Sequence, residues 1–202
     1  MSRLALVALA ILLWPPPAHA HLVTTGLGPL YDGLVHFAVT PEDLIPTLAL
    51  SLLAGLRGPS QSRRVLFILP STWLLFGLVG LAMPDATSAL PIATTLAPSI
   101  SFVLLGALLA GDARLPLAAT AAIAATLGAL HGYLNGTALV QAGLGITALI
   151  GIATAVFTLI ALASSTVVPL KATWSRIAIR VAGSWIAAIG LLLAGWTFRS
   201  TS

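Results

Sequence analysis

Apolar residues run along this chain in long stretches, and polar residues gather in short clusters between them. Six apolar segments stand out, at about 41–57, 65–83, 89–110, 115–134, 137–163 and 175–197. A segment in lipid has to satisfy its backbone N–H and C=O groups internally, so each run predicts a helix. The breaks between them, "RGPSQSRR", "PDATS", "GDARLP", "YLNG" and "VVPLKATWSR", carry turn and charge signals. Pro46, Pro70 and Pro98 fall inside spans, where they would kink or break a helix and free carbonyls.

A shorter apolar run precedes these six. Arg3 gives a positive start, and Leu4 to Leu13 is apolar. "WPPP" then ends the run, and Ala18-His19-Ala20 offers a small-x-small cleavage site. The competing reading is an uncleaved first membrane helix, but a span needs about twenty apolar residues and this run is shorter. Residues 1–20 are therefore expected to be a signal peptide, and residues 21–202 a six-span transmembrane, permease-like domain. Cleavage would make His21 the mature N-terminus, outside the cytoplasmic membrane.

Composition narrows the class further. Hydrophobic residues make up 58% of the chain and charged residues 7%, whereas soluble domains carry about 25% charged residues. The expected fold class is all-α: a polytopic membrane protein with a six-helix transmembrane bundle after a cleaved signal peptide. With no cysteine, disulfides, thiolate metal sites and cysteine nucleophiles are excluded together. A net charge of +4 does not indicate nucleic acid as a partner, because the basic residues are scattered at loop positions. Counted from an outside N-terminus, Arg57, Arg63, Arg64, Arg114, Lys171 and Arg176 face the cytoplasm, with Arg180 close enough to snorkel, and only Arg199 stays outside. This is the charge asymmetry of a multi-pass protein in a bacterial-type inner membrane, with the lipid bilayer as its surroundings.

The same orientation sorts the rare acids and histidines. His21, Asp32, His36, Glu42, Asp43, Asp85 and His131 all fall on the outer side, and only Asp112 is cytoplasmic. Imidazole plus carboxylate is a ligand set for divalent nickel, cobalt, zinc or copper. Each element has a plainer reading beside that one. In "TPED", Thr40 can be an N-cap, Pro41 suits the first helical position, and Asp43 completes a pattern like a capping box. In "YDGLVH", Asp32 and His36 are four apart and would share a helix face, either to hold a metal or as solvated groups at the membrane surface. His131 lies on the segment richest in Ala, Gly and Thr, so it either faces the interior of a central helix or sits at the water interface. Asn135 follows at the next turn and would share its face if the helix continues that far.

Other chemistries find less support. There is no GxSxG or GxSG element, and no nucleophile–base pair is visible in the spacing. "GLGITALIG" reads as close helix packing, and no charged relay runs through the spans. An enzyme is not expected.

The layout resembles the HupE/UreJ family of hydrogenase and urease accessory proteins, regarded as nickel or cobalt permeases. That family's first span carries His-Pro-x-x-Gly-x-Asp-His. The matching stretch here is "HFAVTPED": His36 matches the first histidine, Glu42 sits at the aspartate position, and Asp43 replaces the second histidine. A later family element resembles His-Gly-x-Ala-His-Gly. Here "HGYLNG" keeps His131, Gly132 and Gly136, with Asn135 in place of the second histidine. Both replacements offer oxygen, a harder donor than imidazole nitrogen.

The resemblance implies transport of a divalent metal ion, nickel or cobalt first, with no resident cofactor and with a metalloenzyme maturation system as a partner. His36, Glu42, Asp43 and His131 would form a capture site on the outer face, with Asp32 and His21 as accessory groups. Metal ligands must be deprotonated, so capture should weaken as pH falls through the histidine range. The rival expectation is a non-transporting membrane subunit that binds metal or a partner protein. Span one begins and span four ends on the outer side, so if the two are neighbours at least one of the carboxylates Glu42 and Asp43 is expected within roughly 8 Å of His131, the reach of one bridging ion.

Overall fold

A computed structural model describes residues 24–85, 91–170 and 172–200. The expected signal peptide at 1–20, and His21, lie outside the described residues. Among the described residues the chain forms helices α1 (Pro29–Val39), α2 (Pro41–Arg57), α3 (Pro59–Ala82), α4 (Pro91–Ala110), α5 (Leu117–Gln141), α6 (Ile146–Val167) and α7 (Thr173–Ser200).

Helices α3, α5, α6 and α7 are long and apolar enough to cross a membrane, and α1 with α2 makes a fifth crossing if the bent pair counts as one. The remaining expected crossing, the third at 89–110, falls on α4, whose apolar stretch Leu96–Ala110 is shorter. The chain is a multi-pass membrane protein. Trp174 and Trp196 are exposed on α7; at about 1.5 Å of rise per residue they lie about 33 Å apart along its axis, near the thickness of a hydrocarbon core.

Several boundaries shift from the sequence expectation, among them the start of α3, at Pro59 rather than about 65, and two of the shifts move polar residues. Residues 29–39 form a helix of their own, bent by 72° from α2. Pro41 causes the break, because its ring pushes the preceding residue out of the helical region, and Thr40 is extended at φ −99°, ψ 96°. The second difference is "YLNG", which does not end a helix: α5 continues to Gln141. Asn135 and Gly136 are buried against neighbouring helices rather than free to turn. The stop comes at Gly143, whose φ of 70° fits a Schellman ending, with Leu144 N–H bonding Leu139 C=O at 2.8 Å. Pro46, Pro70 and Pro98 all lie inside helices that continue past them.

Small residues set the packing, but they do not make α5 the central helix. Gly128, Gly132 and Gly136, four residues apart, present one face of α5 to α3, where added Cβ atoms would strike Leu69, Trp73 and Gly77 backbone. Gly106, Gly183 and Gly190 bring α4 and α7 together in the same way. Gly33 and Gly151 seat α1 on α6. The hub is α2, which touches every other helix, while α5 leans chiefly on α3.

One end of the bundle is basic. Arg57 closes α2, and Asp112 in the α4–α5 loop bonds both Arg57 and Arg176. The opposite end carries α1 and the polar start of α2.

Candidate functional site

The bend at Thr40 decides where the polar groups go. Thr40 occupies the N-cap position, but its side chain makes no cap hydrogen bond. Its hydroxyl donates back to the His36 carbonyl at 2.6 Å. The capping-box reading is therefore corrected: the Asp43 carboxylate turns away from Thr40 and crosses to α5. Its Oδ1 lies 2.7 Å from His131 Nδ1, and its Oδ2 accepts from Asn135 Nδ2 at 2.8 Å. The expected closeness of a carboxylate to His131 is thus observed, through Asp43. Glu42 is exposed; neighbours on a helix point about 100° apart, so only one of the pair can face α5.

Asn135 joins the two histidines. Nδ2 also donates to the His131 carbonyl at 2.9 Å, which uses both amide hydrogens. Oδ1 is left for His36, whose Nε2 lies 3.2 Å away. On its far side His131 meets α4, with Nε2 3.1 Å from Ser101 Oγ. Trp73 stacks beside the His131 ring at 5.6 Å between centroids, and Phe37 meets Trp73 edge-on at 5.9 Å. Asp43, His131 and Asn135 are all nearly inaccessible, at 4%, 1% and 5% exposure. The water-interface reading of His131 is therefore corrected. Four helices, α1, α2, α4 and α5, contribute to one continuous chain: His36, Asn135, Asp43, His131, Ser101.

Asp32 does not join this chain. It shares α1 with His36, as expected, but accepts hydrogen bonds from Thr25 N–H at 2.6 Å and from the Thr25 hydroxyl at 2.7 Å. The expected Asp32–His36 partnership is replaced by a clasp on the segment before α1. Of the expected ligands, Asp43 and His131 meet directly and His36 reaches them through Asn135. Glu42 and Asp32 point elsewhere. Among the described residues, no group of three or more His, Cys, Asp or Glu is close enough to hold a metal ion.

Ser101, Trp73 and Phe37 were not visible as site residues in the sequence. Ser101 is one of several hydroxyls in an apolar span, and Trp73 and Phe37 read as ordinary core. With Ser101 in place, a hydroxyl, an imidazole and a carboxylate do stand in the order of a nucleophile–base pair with an orienting acid, which residue spacing did not reveal. The Ser101 hydroxyl also bonds the Ala97 carbonyl at 2.9 Å. The backbone N–H groups around it lie within a helix and are spent on helical bonds, so they do not form an oxyanion hole.

The family model for HupE / UreJ proteins matches residues 9–193. The chain belongs to the HupE/UreJ family. No curated protein and no solved structure matches it. In this HupE/UreJ protein the two residues that stand where the resembling motifs have their second histidine, Asp43 and Asn135, are hydrogen-bonded to each other. The departures are thus partners in one contact, and each satisfies the other's buried polar atoms.

Proposed function

We propose that this HupE/UreJ protein carries a divalent transition-metal ion, nickel or cobalt, across the cytoplasmic membrane. The observation that supports this reading is the gathering of His36, Asp43 and His131 around Asn135 inside an otherwise apolar bundle. Ionisable groups are costly in such a setting, and in membrane proteins they mark ion and substrate paths. Three strong donors with an amide oxygen make a site that binds without trapping, as a permease needs.

In this reading residues 1–20 are a cleaved signal peptide and the mature N-terminus is outside. Helices α2 to α7 make six crossings, and the arginine-rich end faces the cytoplasm. An ion arriving from outside meets His36 first, then displaces the hydrogen bonds of Asn135 and Asp43 to His131. Below Asp43 the buried hydroxyls of Thr47 and Ser51 continue on the same face of α2, a polar line through the core.

Uptake of labelled nickel and cobalt by cells expressing the protein tests the proposal. Uptake should appear with the intact chain and vanish in the His36→Ala, His131→Ala double variant. Undiminished uptake in that variant would reject the site.

A second reading is favoured by one observation: every donor in the chain is already hydrogen-bonded to another. A non-transporting accessory subunit would keep such a network as structure. Reconstituted vesicles separate the two, because saturable nickel binding without internal accumulation supports the accessory role.

A further inference from the structure

At the basic end of the bundle, α3 and the start of α5 part to leave a cavity of about 500 Å³ lined by Ser60, Arg63, Arg64, Phe67, Ile68 and Leu117. Its composition is divided. Phe67, Ile68 and Leu117 make an apolar wall, and two guanidiniums with a hydroxyl make the rim. Arg63 and Arg64 are both exposed. The chain contains five acidic residues, and those at this end are accounted for: Asp112 is held by Arg57 and Arg176. Asp32, Glu42, Asp43 and Asp85 belong to the other end. Among the described residues, no ion pair engages Arg63 or Arg64. Arg63 also borders a second cleft, of about 300 Å³, between α3 and α6, whose wall includes Leu66, Ile160 and Val168. Arg63 therefore lines two clefts whose walls are largely apolar.

We propose that the α3–α5 cavity binds an anionic phospholipid, with the phosphodiester on Arg63, Arg64 and Ser60 and an acyl chain against Phe67, Ile68 and Leu117. The charge and the apolar wall argue for one amphipathic occupant. Free phosphate would satisfy the arginines and leave the wall in contact with water. A neutral lipid would fill the wall and leave two positive charges uncompensated, and each such charge near a membrane surface favours an anionic headgroup. The bound lipid would brace the α3–α5 seam, the same seam that carries Trp73 and His131 farther along. The inference stands on this end of the bundle alone and does not depend on metal transport.

Native mass spectrometry of the purified full chain tests it, with dioleoyl phosphatidylglycerol and dioleoyl phosphatidylcholine offered at equal concentration, since these share acyl chains and differ in headgroup charge. The wild type should retain the anionic lipid in about thirtyfold preference, the ratio that two arginines at about 1 kcal/mol each would give. The Arg63→Gln, Arg64→Gln variant should lose that preference, while Arg114→Gln, whose side chain does not line the cavity, should keep it. Leu117→Trp, which fills the apolar wall without touching the charges, should lower retention of both lipids. Thermal unfolding of each variant in lipid-free detergent checks that the fold is intact. Equal retention of the two lipids by the wild type, or an unchanged preference in the double-arginine variant, overturns the proposal. So does displacement of the lipid by millimolar inorganic phosphate, which would make the rim a plain anion site.

Discussion

Asp43 and His131 are 88 residues apart in sequence, yet Asp43 Oδ1 lies 2.7 Å from His131 Nδ1. The contact ties the first turn of the hub helix to the middle of α5. It also separates two carboxylates that adjoin in sequence. Asp43→Ala strands a buried imidazole N–H and the Asn135 amide, and each unsatisfied buried group costs about 1–3 kcal/mol. Glu42→Ala removes an exposed side chain, and such changes usually stay within about 0.5 kcal/mol. The expected outcome is a clear fall in melting temperature and loss of nickel uptake for Asp43→Ala, with neither for Glu42→Ala. Equal behaviour of the two variants would contradict the assignment of roles.

The helical, membrane-embedded character was readable because lipid demands long apolar runs, and their lengths carry the information. The shared depth of the "HFAVTPED" and "HGYLNG" segments was readable too, since opposite helix directions put both at one end, but that they meet was not. What escaped the sequence was orientation about each helix axis. Glu42 and Asp43 looked equivalent as ligands, and only the position of α5 against α2 chose between them. Ser101 was hidden because it comes from α4, which no motif marks. "YLNG" looked like a turn because Asn and Gly are turn formers. In the folded chain tertiary contacts take both residues: the Asn135 amide is used on Asp43 and His131, and Gly136 lets α5 approach α3.

Asn135 offers a test that reads binding without transport. Its Nδ2 donates to Asp43 Oδ2 at 2.8 Å. Asn135→Asp would replace that hydrogen bond with two facing carboxylates in a buried site. The variant should unfold at a lower temperature than the wild type in the absence of metal, by an amount corresponding to about 1–3 kcal/mol. A divalent cation between the carboxylates should restore it, by about 2.7 kcal/mol at a hundredfold excess over the dissociation constant. Thermal scans with and without nickel or cobalt measure both shifts. If added metal leaves the variant's melting temperature unchanged, a cation does not bind between these residues.

Gly132 lies next to His131, and a Cβ there would collide with the backbone of Trp73. Gly132→Ala should push α5 away from α3, with an overpacking cost of about 1–3 kcal/mol. Because Trp73 stacks on His131, the same displacement should reduce uptake. Gly195, inside α7, has open space around its Cβ position, so Gly195→Ala should leave uptake near wild type without lowering stability. Melting temperature and initial uptake rate, measured on both variants, check the pair.

The opposite end makes its own prediction, through pH. Asp112 sits in the loop between α4 and α5, with a φ of 50°. Burial alone would raise its pKa, but the Arg176 hydrogen bond and the charges of Arg57, Arg176 and Arg180 outweigh burial, and the net shift is downward. A carboxyl with a lowered folded-state pKa stabilises the fold above its unfolded value, here 3.8. That stability is lost as pH falls from this value through the lower folded one. Protonation would release the only carboxylate among the described residues that bonds Arg57 and Arg176, three arginines would repel one another, and the α4–α5 loop would loosen from α2 and α7. Stability of the wild type in lipid nanodiscs should therefore drop on the acid side of that window. Asp112→Asn should be less stable at neutral pH and should lack this part of the acid dependence. Parallel acid limbs for the two proteins would show that the Arg57–Asp112–Arg176 cluster does not hold this end of the bundle together.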